Sequence, residues 1–88
     1  MTAKVEIYGT SFCRHCIVAR ELLDKKNVEY TDYKLDLTPH HRDEMIQRCG
    51  IKKVPQIFIN DQHVGSDEDL LESEFNGELD RLLAAPPV

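Results

Sequence analysis

Two cysteines separated by two residues constrain the fold and chemistry of this chain more than any other feature. Cys13 and Cys16 follow an apolar run at residues 5–8, which predicts a strand, and a breaking segment at residues 9–12. The residues after Cys13 repeat apolar side chains with helical spacing up to about residue 26. We therefore predict that the pair occupies the first turn of a helix and that a strand leads into this turn.

The number of cysteines indicates which chemistry the pair performs. The chain has three cysteines, an odd number, among 88 residues. Residues 1–6 lack the apolar core of a secretory signal, so we expect a cytoplasmic protein in a reducing compartment. In that setting the Cys-x-x-Cys spacing indicates redox or metal chemistry rather than a structural disulfide.

Composition limits the size of the fold and the classes of partner. Hydrophobic residues make up 41% of the chain, enough for one core, and we expect a single domain over residues 1–88. The net charge of −5 argues against a nucleic-acid partner. No apolar run reaches the length of about 18 residues that a membrane span needs, so no membrane partner is predicted. The expected state is a monomer.

The rest of the chain alternates between extended and helical patterns. Extended segments are predicted at residues 28–37, 54–59 and 63–64, and helices at residues 38–50, 66–77 and 79–83. The order β-α-β-α-β-β-α, followed by a last short helix, predicts an α/β fold. Its first two strands should be parallel, and the later two should form an antiparallel hairpin. The result is a mixed four-stranded sheet with helices on both faces.

Local signals predict the starts of two helices and the side chains that face the core. Thr38 followed by Pro39 is the expected start of the second helix. Ser66 is the expected N-cap of the third, with Asp69 completing a capping box. The side chains expected to face inward are Tyr33, Leu35 and Leu37, then Met45, Ile46 and Cys49, then Leu70, Leu71 and Phe75.

The two cysteines are predicted to have different roles. The thiolate is the reactive form of cysteine, and a free thiol has a pKa of about 8.5. At a helix N-terminus, unpaired N–H groups and the helix dipole favour the anion at Cys13. The positive charges of Arg14 and His15 should favour it further. Cys16, one helical turn on and less exposed, suits the resolving role, in which it attacks a disulfide formed on Cys13.

An inert buried pair and a structural zinc site are the alternatives to redox chemistry. A zinc knuckle needs a second ligand pair at regular spacing, and His40, His41 and Cys49 do not form one. Adjacent histidines at a helix start should point in different directions, so both are expected to be solvated surface residues. Cys49 is expected to be a small core residue rather than a regulatory thiol.

Three motifs in order give the chain a family resemblance. They are Ile7-Tyr8 before Cys13-Arg14-His15-Cys16, then Val54-Pro55-Gln56-Ile57-Phe58-Ile59, then Gly65-Ser66-Asp67. Together they resemble the bacterial glutaredoxins over residues 5–71. The resemblance implies a thioredoxin-like fold in which a cis peptide bond between Val54 and Pro55 faces the cysteine pair.

The resemblance also implies a binding groove for glutathione, the expected co-substrate. In such a groove the backbone of Val54, beside Pro55, pairs with the cysteinyl part of glutathione. Ser66 and Asp67 hold its γ-glutamyl end, because a helix N-terminus attracts a carboxylate and Asp67 can pair with an amino group. The remaining residues assigned to the groove are Arg14, His15, Arg42, Lys53 and Pro55, with Arg42 in the position that takes the glycine carboxylate.

The chain departs from the family pattern around the cysteines. Arg14-His15 replaces the common Pro-Tyr, Lys53 replaces a threonine, and Thr10 replaces a lysine. Lys53 and Arg14 could supply the positive charge that Thr10 does not. Family members without the proline sometimes bind a [2Fe–2S] cluster between two subunits, with the residue equivalent to Cys13 and glutathione as ligands.

The expected function is therefore that of a glutathione-dependent thiol–disulfide oxidoreductase. It would reduce protein disulfides and glutathione mixed disulfides through Cys13 and Cys16, so its protein partners would carry disulfides or be glutathionylated. Two alternatives are a cluster-binding protein with Cys13 as an iron ligand, and an electron donor that thioredoxin reductase reduces.

Overall fold

Strands and helices follow one another in the predicted order. The computed structural model describes residues 3–88. The strands are β1 (Val5–Gly9), β2 (Thr31–Lys34), β3 (Gln56–Ile59) and β4 (Gln62–Gly65), and the helices are α1 (Arg14–Lys25), α2 (His41–Cys49), α3 (Asp67–Phe75) and α4 (Glu78–Ala84). Within the described part of the chain, no helix combines the length and the apolar character that crossing a membrane requires.

The four strands form one mixed sheet in the order β2-β1-β3-β4. β1 pairs in parallel with β2, whereas β3 pairs in antiparallel fashion with both β1 and β4. Asn60 and Asp61 join β3 to β4 with φ angles of 51° and 64°, the left-handed conformation that a tight hairpin turn requires. The predicted parallel pair and antiparallel hairpin are both confirmed.

Three helices cover one face of the sheet. Val5 and Ile7 of β1 and Ile57 and Ile59 of β3 point to this face, because alternate residues of a strand share a side. They pack against α1, α3 and α4 through Ala19, Leu22, Leu23, Leu70, Leu79 and Leu83. This larger core holds α1, and so the cysteine pair, against the carboxyl end of β1.

Helix α2 covers the other face through a smaller core. Its Met45 is fully buried and lies with Tyr8, Leu35 and Phe58. Helices therefore lie on both faces, as predicted. Helix α2 begins at His41, later than predicted. Thr38 and Pro39 form a turn instead, and their carbonyls accept hydrogen bonds from the backbone N–H groups of His41 and Arg42.

A buried ion pair completes the contact between α2 and the sheet. Arg48 donates two hydrogen bonds to the carboxylate of Glu6, at 3.0 and 3.1 Å, and a third to the Tyr8 hydroxyl at 3.1 Å. The Tyr33 hydroxyl donates to the same carboxylate at 2.9 Å. The guanidinium also lies 3.9 Å from the centroid of the Phe58 ring. Burial and the bond to Glu6 raise the pKa of Tyr33 to about 12, so its hydroxyl keeps its proton.

Two side chains predicted to face inward are exposed instead. Leu37 is 71% exposed, because β2 ends at Lys34 and the chain turns there, with the Thr38 N–H donating to the Lys34 carbonyl. Phe75 is 87% exposed, since it lies about 140° around α3 from the fully buried Leu70. Both predictions extended a residue pattern past the end of the packed segment.

The Glu6–Arg48 pair predicts a large stability effect. Replacing Arg48 with alanine should lower the free energy of unfolding by about 2–3 kcal/mol, because the buried Glu6 carboxylate would lose its cation and keep only the Tyr33 hydroxyl as a donor. The expected loss is smaller than the loss for a fully buried ion pair, because 25% of the Arg48 side chain is exposed. Urea unfolding measures it.

Arg81→Ala is the matched control. Arg81 pairs with Glu78 on the surface, with 69% and 43% of the side chains exposed, so its loss should leave the free energy of unfolding close to that of the wild type. Equal losses in the two variants would contradict the importance given to burial.

Candidate active site

Cys13 occupies the N-cap position of α1. Its backbone is extended, with φ −76° and ψ 124°, and its carbonyl accepts from the Ile17 N–H at 3.0 Å, which begins the helix. The Cys13 thiol is half-buried, whereas Cys16 is completely buried one turn later. Both are free thiols. The predicted placement, with one accessible and one covered cysteine, is confirmed.

The surroundings of Cys13 favour its thiolate. Burial on its own would raise the pKa of the Cys13 thiol, and the negative charge of Asp67 acts in the same direction. The backbone N–H and the thiol of Cys16 and the backbone N–H of His15 outweigh both, so the net shift of the pKa is downward. The expected stabilisation by the charges of Arg14 and His15 is not among the leading causes. Hydrogen bonds at the helix end take that role.

Cys16 has the opposite character. Burial and the hydrogen bond and charge of Cys13 raise the pKa of the Cys16 thiol to about 11, so Cys16 is protonated at neutral pH. The backbone N–H of Thr10 donates to its sulfur at 3.4 Å. Of the two thiols, Cys13 is therefore the more readily ionised.

Gly9 and Arg20 shape the pocket around the Cys16 sulfur. A Cβ atom at Gly9 would lie 2.8 Å from the Cys16 sulfur, so only glycine lets β1 pass this close to the thiol. Arg20 donates to the Thr10 carbonyl at 3.0 Å and pairs with Asp32 at 3.0 Å. Its charge lowers the pKa of the Cys16 thiol and partly opposes the effect of burial.

A cavity of about 250 Å³ lies beside the first turn of α1. Its lining residues are His15, Lys53, Val54, Gln56, Ser66, Asp67 and Glu68. Five of the residues predicted to bind glutathione are thus brought together from α1, the segment before β3 and the start of α3. The Val54–Pro55 peptide bond is cis, as the resemblance implied.

Asp67 connects the cavity to the helix that carries the cysteines. The Nδ1 atom of His15 donates to its carboxylate at 2.9 Å, across 52 residues of sequence. The Asp67 side chain is only 11% exposed. Its charge also acts to raise the pKa of the Cys13 thiol, and the cavity wall includes His15, two residues after Cys13.

The predicted capping box positions the residues at the start of α3. The Asp69 carboxylate accepts from both the backbone N–H and the hydroxyl of Ser66, at 2.9 and 3.1 Å. Gly65 makes room for this carboxylate, since a Cβ atom there would lie 2.2 Å from the Asp69 oxygen and φ is +125°. Ser66 and Asp67 are therefore held at the cavity by a motif visible in the sequence.

Three other predicted residues lie outside the cavity lining. Arg42 is exposed, but its guanidinium donates to the Lys52 carbonyl at 3.1 Å, beside the loop that carries Lys53. Pro55 is buried behind Val54, and Arg14 is exposed at the first position of α1. Arg42 is thus close to the cavity without forming its wall.

Gln56 and Glu68 also line the cavity, although neither was predicted to belong to the site. The Gln56 side chain donates to the Lys53 carbonyl at 3.1 Å and accepts from His63 Nε2 at 2.7 Å. It is 3% exposed. The sequence does contain a signal for Gln56, because it is a polar residue directly after Pro55 at the start of an otherwise apolar strand. Glu68 had none, because it belongs to a run of acids at a helix start.

The fold and the cysteine site together define a class of protein. A reactive N-cap cysteine, a covered second cysteine and a cis-proline segment on a mixed four-stranded sheet characterise the thiol–disulfide oxidoreductases of the thioredoxin-like fold.

Comparisons with known proteins identify the family within that class. A family model described as glutaredoxin matches residues 5–64. Glutaredoxin 3 of Escherichia coli K12 is 43% identical over 81 residues, which cover 92% of this chain and 98% of that protein. The chain therefore belongs to the glutaredoxin family, as the sequence motifs predicted.

Solved structures support the same fold. The glutaredoxin of Brucella melitensis is 40% identical and superposes with a TM-score of 0.79, covering 93% of this chain and 89% of that one. A buckwheat glutaredoxin in complex with glutathione has a TM-score of 0.84 at 23% identity, covering 92% and 76% of the two chains. The thioredoxin-like fold is thus shared with relatives from bacteria and plants.

The opposite pKa shifts of the two thiols predict selective alkylation. Iodoacetamide reacts with thiolates, so Cys13 of the reduced protein should be modified at a pH below the ordinary thiol value of about 8.5. Cys16 should need a clearly higher pH than Cys13, because burial still raises the pKa of its thiol after Cys13 has been alkylated. Peptide mass spectrometry across a pH series measures each site, and equal midpoints for both cysteines would contradict the assignment.

Proposed function

We propose that this protein is a glutathione-dependent oxidoreductase that reduces glutathione mixed disulfides and protein disulfides. The observation that carries the proposal is the polar cavity beside Cys13. It places a lysine, a helix N-terminus and a nearly buried carboxylate within one site. A ligand that joins a sulfur atom to a zwitterionic amino-acid end fits this arrangement.

The charged and polar groups around the cavity are complementary to the charged groups of glutathione. The N-terminus of α3 at Ser66 offers N–H groups to the α-carboxylate of the γ-glutamyl end. Asp67 offers its carboxylate to the neighbouring ammonium group, since a carboxylate accepts up to about four hydrogen bonds and His15 uses one. Lys53 and Arg42, on the other side, can attract the glycine carboxylate.

Reduction of a glutathionylated protein needs only Cys13. Its thiolate attacks the glutathione sulfur, the S–S bond to the protein breaks, and the protein thiolate leaves and takes up a proton. Cys13 then carries glutathione as a mixed disulfide. A second glutathione thiolate attacks the sulfur of the bound glutathione, releases glutathione disulfide and restores the Cys13 thiolate.

Reduction of a protein disulfide needs both cysteines. Cys13 attacks one sulfur of the substrate, and the second substrate sulfur leaves as a thiol. Cys16 then attacks the Cys13 sulfur, which releases the substrate as a dithiol and leaves a Cys13–Cys16 disulfide. Two molecules of glutathione reduce this disulfide and become glutathione disulfide.

The two-step chemistry predicts different effects for the two cysteine variants. Cys13→Ser should abolish both reactions, because the remaining thiol of the pair, Cys16, is completely buried and burial raises its pKa. Cys16→Ser should keep reduction of hydroxyethyl–glutathione disulfide and lose reduction of protein disulfides. Assays with glutathione, glutathione reductase and NADPH measure both. If the wild type were instead reduced only by thioredoxin reductase, the glutathione proposal would be wrong.

The position of Asp67 predicts opposite changes in binding and in thiol pKa. Asp67→Asn should raise the KM for hydroxyethyl–glutathione disulfide by about 10-fold or more, since a charged hydrogen bond contributes about 1.5–3 kcal/mol. The same change should lower the pKa of Cys13 further, because the Asp67 charge raises it. Glu72→Gln, an exposed acid of α3 outside this cavity, is the control and should change neither. A raised thiol pKa in Asp67→Asn would contradict the electrostatics.

A further inference from the structure

His40, His41 and Glu44 form a cluster of metal-ligating side chains at the start of α2. One ligand atom from each residue lies within 4.8 Å of the others. His41 Nδ1 is 2.9 Å from one Glu44 oxygen, and His40 Nε2 is 3.7 Å from the other. The expectation that the two histidines point in different directions was wrong, because their ring centroids are 4.6 Å apart. His40 directly precedes α2 with helical backbone angles (φ −66°, ψ −17°), and its ring lies beside that of the next residue.

The central ligand of the cluster is fixed by packing. The His41 ring lies against the Tyr33 ring, with 4.8 Å between centroids, and meets the Tyr8 ring edge-on at 6.5 Å. Only 21% of the His41 side chain is exposed, against 69% for His40 and 43% for Glu44. One ligand is therefore held in place, while the other two can adjust their rotamers to an ion.

We propose that His40, His41 and Glu44 bind a divalent transition-metal ion of the Zn²⁺ class. Two imidazoles and one carboxylate are a donor set that zinc accepts, with metal–ligand distances of about 2.0–2.2 Å. Such distances bring the three donor atoms somewhat closer than the 4.8 Å limit, and movement of the exposed His40 supplies the change. Water completes the coordination, because three protein ligands leave a position open.

Local charges act on the site in both directions. The helix N-terminus and the neighbouring Arg42 disfavour a cation. Asp43 and Glu44 in the first turn and the net charge of −5 favour it. The Arg42 guanidinium is bound to the Lys52 carbonyl, outside the cluster. Metal binding displaces protons from imidazole, so a slightly alkaline pH favours occupancy of such a site.

The cluster is separate from the cysteine site. It lies at the start of α2, which packs on the face of the sheet opposite α1. The proposal goes beyond the oxidoreductase function and does not depend on it. Because thiolates also bind zinc, the experiment has to remove the thiol pair first.

The test is Zn²⁺ titration by calorimetry of the full chain carrying Cys13→Ser and Cys16→Ser, at about pH 7.5. We expect one ion per chain. His40→Ala and Glu44→Gln, added to this background, should each weaken the affinity at least 10-fold. His63→Ala, a histidine outside the cluster, should leave it unchanged. His41→Ala should also weaken binding, but its ring packs against Tyr33, so the two more exposed ligands decide the question.

Two further measurements make the assignment specific. Zn²⁺ should raise the melting temperature of the background protein, and His40→Ala should abolish this rise. Co²⁺ in the same site should give ligand-field bands without a thiolate-to-cobalt charge-transfer band. Absence of binding, equal affinity in His40→Ala and the background protein, or a charge-transfer band that assigns the ion to Cys49 would each overturn the proposal.

Discussion

Peptide N–H groups at the first turn of α1 carry the negative charge of the Cys13 sulfur. They come from His15 and Cys16, and the Cys16 thiol adds a further donor. Because these donors belong mostly to the backbone, they are present whatever side chains lie between the cysteines. This explains how Arg14-His15 can stand where the family often has Pro-Tyr without loss of the reactive thiol. The side chain of His15 is left to hold Asp67 at the wall of the cavity.

Most of the fold and the core of the site could be predicted because their signals are local. The strand before Cys13, the helix after it and the Ser66–Asp69 capping box each depend on neighbouring residues. The order of these elements then limited the sheet to few topologies. The family motifs added the cis proline and the five residues that meet at the cavity.

The features that could not be predicted join residues that are distant in sequence or depend on rotamers. In the sequence, Glu6 has the pattern of a solvent-facing strand residue. In the structure it is paired with Arg48, 42 residues later, beside the smaller core. Arg20 is a charged residue next to the apolar face of α1. Its position is explained by its contacts with the Asp32 carboxylate and the Thr10 carbonyl, which the sequence does not reveal. The proximity of the His40 and His41 rings, with 4.6 Å between centroids, depends on the rotamers of the two side chains.

The buried surroundings of Cys16 impose an order of events on the two thiols. Burial keeps the Cys16 pKa high throughout, but the hydrogen bond and the charge of Cys13 add to it only while Cys13 is a free thiolate. Once Cys13 is capped by a substrate sulfur, both contributions disappear, whereas the positive charge of Arg20 remains. The second thiol thus becomes easier to ionise only after the first has reacted. In the proposed mechanism, this order restrains the resolving step until Cys13 carries the mixed disulfide that Cys16 attacks.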